Sequence, residues 1–135
     1  GADRASTGEM FEMLRLVGVE EVVRELEHGL DTVLSPIGLP LSAEETLRLK
    51  LAAALLAGPR ILVVGEVFGL VDPSVWERVL AYVADRPEMT FVLFTSDETL
   101  PHVDRVLHVG WHEQTLQPAL GSAGGGDDDD GFAGT

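Results

Sequence analysis

A chain of 135 residues with 23 acidic and 9 basic side chains has a formal net charge of −14 and is long enough to form one domain with its own core. The hydrophobic content of 45% is typical of a globular protein, whereas the shortage of Lys and Arg argues against a nucleic-acid partner. Cysteine is absent, which excludes disulfides and thiolate metal sites. The longest apolar run is far shorter than the ~20 residues that cross a bilayer, and no signal-peptide pattern is present. We therefore expect a cytoplasmic chain that does not itself span a membrane.

The first part of the chain is predicted to be a linker, two short helices and an irregular stretch. Residues 1–8 are small and polar, so we expect a linker or an expression remnant there. The apolar spacing then predicts helices over residues 9–17 and 20–27, the first closed by Gly18. Residues 30–40 are rich in turn-forming residues and are expected to be irregular.

The next helix has the clearest start in the sequence. Ser42 is a good N-cap and Glu45 stands three residues later, which is the pattern of a capping box. Leu and Ala fill most of this helix, so it is expected to be largely buried. Gly58 and Pro59 are expected to end it.

The remainder of the folded part alternates aliphatic strands with helical segments. ILVV (residues 61–64) and TFVLFT (residues 90–95) predict fully buried strands, and RVLHVG (residues 105–110) predicts a third. Between the first two, Asp72 is expected to cap a helix that has Pro73 at its first position. Trp76 is expected in the core. This order of elements predicts an α/β fold in which parallel strands are flanked by helices.

Five segments together resemble the ATPase domain of ATP-binding cassette (ABC) transporters, most of all its C-terminal half in the exporter branch. Their order and spacing are kept over residues 11–110. The resemblance implies a partial P-loop NTPase fold that lacks the half carrying the phosphate-binding loop. The segments are LSAEE (residues 41–45) at the signature motif, AALLAGPRILVVGE (53–66) at the signature helix and Walker B strand, GLVD (69–72) at the D-loop, FVLFTS (91–96) at the switch, and VDRVLHVG (103–110) at the next strand.

The resemblance implies roles for single residues, and several positions depart from the family pattern. The family ends its Walker B strand with an Asp that helps to hold Mg²⁺ and a Glu that acts as base, and here these positions are Gly65 and Glu66. The switch loop of the family presents a His, and this chain has Ser96. Asp72 matches the D-loop. Glu66 is thus the one candidate catalytic residue, and its alternative is an ordinary carboxylate at a strand end.

The signature-like segment is altered most. In the family its Ser and two glycines let a helix N-terminus approach a phosphate held by another subunit, where free N–H groups and the helix dipole bind the anion. Leu41 and Ser42 are kept, but Ala43, Glu44 and Glu45 stand where the family has Gly-Gly-Gln. Two carboxylates then occupy the place of a docking phosphate. Ser42 is accordingly expected to cap its helix rather than to bind phosphate.

No phosphate-binding loop of the G-x-x-x-x-G-K-[ST] type occurs in the sequence. Without its backbone N–H groups the β- and γ-phosphates have no principal binder. ATP and Mg²⁺ are therefore expected only if such a loop comes from upstream or from a partner. Either the missing half lies upstream in a longer protein, or the last strand has moved across to close the gap in the sheet. The four histidines show no ligand spacing, so we expect no metal site in the chain.

These patterns predict three parts. Residues 1–8 form the linker, residues 9–120 a degenerate ABC ATPase-like domain, and residues 121–135 a disordered acidic tail. Within the domain, residues 9–57 contain the helical and signature part, and residues 58–120 run from the Walker B strand onward.

Three functions are open. The first is a degenerate, non-hydrolytic nucleotide-binding segment that forms the non-catalytic side of an ATPase pair in transmembrane export. Its partner would be another ABC ATPase domain or a transporter membrane domain, at the cytoplasmic face of the inner membrane through a parent transporter. The alternative is a stand-alone interaction or regulatory module without nucleotide chemistry. The third, an active hydrolase with Glu66 as base, is disfavoured by Gly65, Ser96 and the altered signature. The chain itself is thus not expected to be an enzyme, whereas its parent can be a transporter ATPase.

Overall fold

The computed structural model describes residues 4–96, 99–110 and 114–118. The chain divides into two compact units, Gly1–His102 and Val103–Thr135. The predicted tail over residues 121–135, and the predicted domain end at residue 120, lie outside the described residues. The described elements are α1 (Thr7–Val17), α2 (Glu20–Glu25), a 3-10 turn (Gly29–Asp31), α3 (Ala43–Leu56), β1 (Ile61–Val64), a second 3-10 turn (Glu66–Leu70), α4 (Pro73–Ala84), β2 (Thr90–Leu93), β3 (Arg105–Val109) and β4 (Gln114–Pro118).

Helix α1 begins earlier than predicted. Its first residue is Thr7 rather than Glu9, because Ser6 and Glu9 form a capping box inside the stretch that was predicted to be a linker. The Glu9 N–H donates to Ser6 Oγ at 3.2 Å, and the Ser6 N–H donates to the Glu9 carboxylate at 2.7 Å. The predicted end is confirmed, since Gly18 adopts the left-handed conformation with φ of 74° that closes a helix.

A single carboxylate joins α1 to α2. Glu20 accepts hydrogen bonds from Arg15 in the last turn of α1, at 2.8 Å, and from Arg24 in α2, at 2.9 Å. The hydrogen bonds from Arg15 first, and then from Arg24, lower the pKa of Glu20 to about 2. Helix α2 ends at Glu25, two residues before the predicted end at residue 27, and Leu26 already has extended backbone angles.

The segment between α2 and α3 is irregular beyond its short 3-10 turn, as predicted, and at Gly38 it comes close to the first turn of α3. Gly38 has a φ of 91°, and a Cβ built there would lie 2.2 Å from Oγ1 of Thr46 in the first turns of α3. Only glycine combines this backbone conformation with such close approach. Leu41 follows at the end of the segment and is buried, with 3% of its surface exposed.

The core of the first unit lies between three helices and one face of a sheet. Helix α1 packs against both α3 and α4. In α3, Leu51, Ala52 and Leu55 are buried while most of the other residues are half-buried, so the helix is less buried than predicted. Trp76 of α4 lies in the core as predicted, and its ring meets Phe91 edge-on with the centroids 6.3 Å apart.

Strands β1 and β2 pair in parallel, as predicted, with Ile61 opposite Thr90 and Val64 opposite Leu93. The predictions that β1 and β2 are fully buried strands are wrong, and β2 ends at Leu93 rather than at residue 95. Ile61 and Val63 are 66% and 58% exposed, whereas Val64 is 3% exposed. Because alternate side chains of a strand point to opposite faces, the described helices cover one face of this two-stranded sheet and leave the other uncovered. We call the uncovered apolar set, Ile61, Val63, Val92 and Phe94, the open sheet face.

Strand β3 does not join that sheet. It pairs antiparallel with β4, with Arg105 opposite Pro118 and Val109 opposite Gln114. Strand β4 was not predicted, and the third strand was expected in the parallel sheet. Two strands so close in the chain pair most readily as antiparallel neighbours, since a parallel return needs a long crossover.

Within the described residues, none of the helices is both long enough and apolar enough to cross a bilayer.

Replacing Gly38 by Ala is expected to lower the free energy of unfolding by about 2 kcal/mol, because the new Cβ strains the backbone and displaces Thr46. Gly58→Ala is the matched control. Gly58 also has a positive φ, 59°, but a Cβ there would meet no heavy atom within 4 Å, so a smaller loss of about 1 kcal/mol is expected. Urea unfolding of both variants measures the difference. Equal losses would contradict the close packing of the loop on α3.

Candidate functional site

The candidate site lies where the start of α3 meets the start of α4. At the start of α3, the predicted capping box is confirmed. The Glu45 N–H donates to Ser42 Oγ at 3.2 Å, and the Ser42 N–H donates to the Glu45 carboxylate at 2.7 Å. Thr46 Oγ1 also donates to the Ser42 carbonyl at 2.8 Å. The hydroxyl, amide and carbonyl of Ser42 are thus all engaged by its own helix.

Glu44 makes a contact that was not predicted. Its Oε1 accepts hydrogen bonds from Arg48 Nε at 3.2 Å and from Arg48 Nη2, one helical turn on. The same oxygen accepts the backbone N–H of Asp72 at 3.2 Å, although Asp72 lies 28 residues further along the chain. The Arg48 hydrogen bonds first, and then the Asp72 N–H, lower the pKa of the Glu44 carboxyl, while the nearby Asp72 charge opposes them.

The start of α4 is held by Asp72, as predicted. Its Oδ1 accepts from the Ser74 N–H at 2.8 Å and from the Ser74 hydroxyl, and Pro73 fills the first helical position. These two hydrogen bonds are the main cause that lowers the pKa of Asp72, with the positive charges of Arg48 and Arg78 as weaker causes. Asp72 therefore acts as the cap of α4 and also supplies the N–H that Glu44 binds.

The remaining candidate residues lie at the carboxyl ends of β1 and β2. Gly65 follows β1, and a Cβ at Gly65 would meet no heavy atom within 4 Å, so packing does not require glycine there. Glu66 opens the second 3-10 turn and is exposed. Ser96 lines a cavity of about 120 Å³ together with Gly69 and Trp76, whereas Glu66 is not part of its lining.

The structure thus brings together some of the predicted site residues and separates others. Glu44 and Asp72, predicted on separate grounds, share a hydrogen bond. The D-loop-like and switch-like segments share the small cavity beside Ser96. The signal that could have found the Glu44 contact is partly visible in the sequence, because Glu44 and Arg48 have the i,i+4 spacing of a helical ion pair. The bond to Asp72 has no such local signal.

Metal ligands are not assembled in the described part of the chain. Among residues 4–96, 99–110 and 114–118, no group of three or more His, Asp or Glu side chains is placed so that it could hold a metal ion. His112 lies outside the described residues.

No known protein-family model matches the chain, but individual proteins do. It is 31% identical over 80 residues to a putative export ATP-binding/permease protein of Rickettsia typhi, which covers 59% of this chain and 14% of that protein. It is 36% identical over 80 residues to the heterocyst differentiation ATP-binding protein HepA of Nostoc sp., 59% and 13% of the two chains. It is 26% identical over 107 residues to an uncharacterized ABC transporter ATP-binding protein, YfiB, of Bacillus subtilis, 79% and 19% of the two.

A solved structure agrees with these relatives. A bacterial Atm1-family ABC exporter with ATP bound superposes with a TM-score of 0.64 at 25% identity, over 78% of this chain and 19% of that one. The chain therefore spans less than a fifth of the length of the proteins that it matches here.

Ser42→Ala is expected to lower the free energy of unfolding by about 1 kcal/mol, with no ligand added, because Ser42 satisfies the first turn of α3. Ser6→Ala is the matched control, since Ser6 forms the same capping box on α1, and a loss of similar size is expected. Urea unfolding measures both. If Ser6→Ala were destabilising and Ser42→Ala were not, the assignment of Ser42 as a helix cap would be wrong.

Proposed function

Because this chain is related in sequence and in fold to the ATP-binding proteins of ABC exporters, we propose that it is a nucleotide-binding-domain segment that serves export without hydrolysing ATP itself. In this role it forms the non-catalytic side of a pair of ATPase domains. Its partners are another ABC ATPase domain and a transporter membrane domain, and a parent transporter places it at the cytoplasmic face of the inner membrane. The observation that carries this proposal is that the helix's own side chains, Ser42 at the cap and Glu44 and Glu45 in the first turn, form hydrogen bonds at the start of α3.

A helix N-terminus binds phosphate through unpaired N–H groups and its positive dipole end. In this chain the first turn of α3 supplies its own anions. Glu45 accepts the Ser42 N–H, and the Glu44 carboxylate lies in the same turn and bonds Arg48 and Asp72. An approaching phosphate would meet the like charge of these two carboxylates. This supports a signature-like segment that has lost affinity for nucleotide.

The strand ends support the same conclusion. Mg²⁺ is held by oxygen ligands, often carboxylates, and glycine offers no side-chain oxygen. Gly65 therefore leaves Glu66 as the carboxylate at the end of β1. Ser96 carries a neutral hydroxyl where the family presents a His, and the cavity that it lines does not include Glu66. ATP and Mg²⁺ would bind only with a phosphate-binding loop supplied by upstream sequence or by a partner.

A second candidate is a stand-alone interaction or regulatory module that keeps the fold without nucleotide chemistry. The open sheet face favours it, because four apolar side chains on one face of a two-stranded sheet are 39% to 66% exposed. Contiguous apolar surface of this kind commonly marks a protein interface. The two candidates differ in how the chain associates with its partner. Association depends on ATP in the first case and does not depend on it in the second.

The isolated chain is expected neither to bind Mg-ATP with low-micromolar affinity nor to release phosphate from it. The carboxylates of Glu44 and Glu45 lie at the start of α3, and the sequence contains no phosphate-binding loop. Isothermal calorimetry and a phosphate-release assay measure both properties. An intact ABC ATPase domain that contains the loop is the positive control under the same conditions. Saturable low-micromolar binding by the isolated chain would contradict the proposal.

Replacing Ala43 and Glu44 by Gly together is expected to increase the Mg-ATP-dependent association of the chain with an intact ABC ATPase domain. The change removes one carboxylate and lets the start of α3 come closer to a phosphate. Glu21→Gly is the matched control, since it removes one exposed charge from the first turn of α2. Sedimentation velocity with and without Mg-ATP measures association. An unchanged association would favour the stand-alone module.

A further inference from the structure

We propose that Glu44 is an intramolecular latch that fixes the start of α3 to the start of α4, so that the two segments behave as one rigid piece. The inference concerns contacts inside the chain and does not depend on whether the chain pairs with an ATPase domain.

The first step is the position of the latch. Helix α1 packs against both α3 and α4, so the two helices share α1 as their common neighbour. Glu44 is the second residue of α3, and Asp72 is the residue just before α4. The hydrogen bond of 3.2 Å from the Asp72 N–H to Glu44 Oε1 therefore adds a direct link between the beginnings of these helices.

The second step is the anchoring of the carboxylate. Arg48 holds the same Glu44 oxygen, and its side chain is 19% exposed, so the guanidinium is largely packed rather than free in solvent. Its Nη1 lies 3.4 Å from the place where a Cβ on Gly18 would stand, and Nη2 of Arg78 lies 3.1 Å from it. Arg78 Nε in turn donates to the Leu16 carbonyl at 3.0 Å. The guanidinium groups of Arg48 and Arg78 thus pack against the carboxyl end of α1.

The third step is what the latch holds. Val71 is buried, with 2% of its surface exposed, and the Asp72 carboxylate caps α4 through Ser74. The chain at Asp72 is therefore fixed by a buried side chain before it, by the helix after it, and by the Glu44 carboxylate at its backbone. Losing the carboxylate would remove the contact that ties this point to α3.

At neutral pH the Glu44 carboxyl is ionised and can accept the Asp72 N–H. The groups that face Glu44 are Arg48 on its own helix and Asp72 before α4, and those that face Asp72 include Arg48 and Arg78. The pKa of Glu44 is lowered from its usual 4.5, chiefly by Arg48. A lowered folded-state pKa means that the link contributes fully above the usual value and is lost as the pH falls through the lowered one.

Amide hydrogen exchange followed by NMR tests the latch. In Glu44→Ala, exchange of the Asp72 amide is expected to accelerate about three- to tenfold, because one hydrogen bond to a carboxylate is lost. The buried amide of Val79 in α4 is expected to keep its rate. Glu77→Ala is the matched control, because it removes an exposed carboxylate from α4 itself, and the Asp72 rate is expected to stay unchanged.

Two outcomes would overturn the proposal. One is an Asp72 rate within twofold of the native rate in Glu44→Ala, and the other is an equal acceleration at Val79, which would report general destabilisation. The native protein gives a test that needs no variant. The carboxyl carbon of Glu44, titrated by NMR, is expected to have a pKa below the usual 4.5, and a value at or above it would equally overturn the latch.

Discussion

The packing of α1 against α3 and α4 is the interaction on which the rest of the first unit depends. Val17 and Val79 are fully buried, and Leu51 is 1% exposed, so the three helices meet in a dry contact. Fully burying one such side chain contributes about 1.5–3 kcal/mol. The candidate site lies at the margin of this contact, where Arg48 and Arg78 reach the carboxyl end of α1. The geometry of the site is therefore set by the core.

The sheet is the part of the fold that the described chain leaves incomplete. A strand in a parallel sheet is normally covered on both faces, and its sequence is then aliphatic at every position. Strand β1 has that aliphatic sequence, ILVV, but only Leu62 and Val64 face the helical core. The residues of the open sheet face are thus suited to a layer that the described residues do not supply. This mismatch between sequence and exposure is the physical reason to regard further polypeptide, rather than solvent, as the natural neighbour of that face.

Local patterns were the predictable part of the structure. The capping box of Ser42 and the cap at Asp72 depend on residues within three positions of each other, and both are confirmed. The parallel pairing of β1 and β2 followed from two aliphatic strands joined by a helix. Non-local features were missed because they depend on residues that are far apart in the chain. The exposure of Ile61 depends on what covers the other face of the sheet, and the Glu44–Asp72 hydrogen bond joins residues 28 positions apart.

Two misses were local. The capping box of Ser6 and Glu9 uses the same pattern that identified Ser42, yet it stands in a stretch whose small, polar composition predicted a linker. Composition averages over a window, whereas a cap depends on two side chains only. Strand β4 was missed although the four residues between it and β3, GWHE, contain a glycine, which is a weaker hairpin signal than Asn-Gly.

The start of α3 shows how one physical effect can serve either stability or binding. Four N–H groups at a helix start have no partner within the helix, and a negative charge near them is favourable. A ligand phosphate can supply that charge, or the helix can supply it from its own side chains. Here Glu45 accepts the Ser42 N–H, and Glu44 places a second carboxylate in the same turn, held by Arg48 and Asp72. In the function proposed above, the carboxylates that stabilise this helix are also the groups that would repel a phosphate from its start.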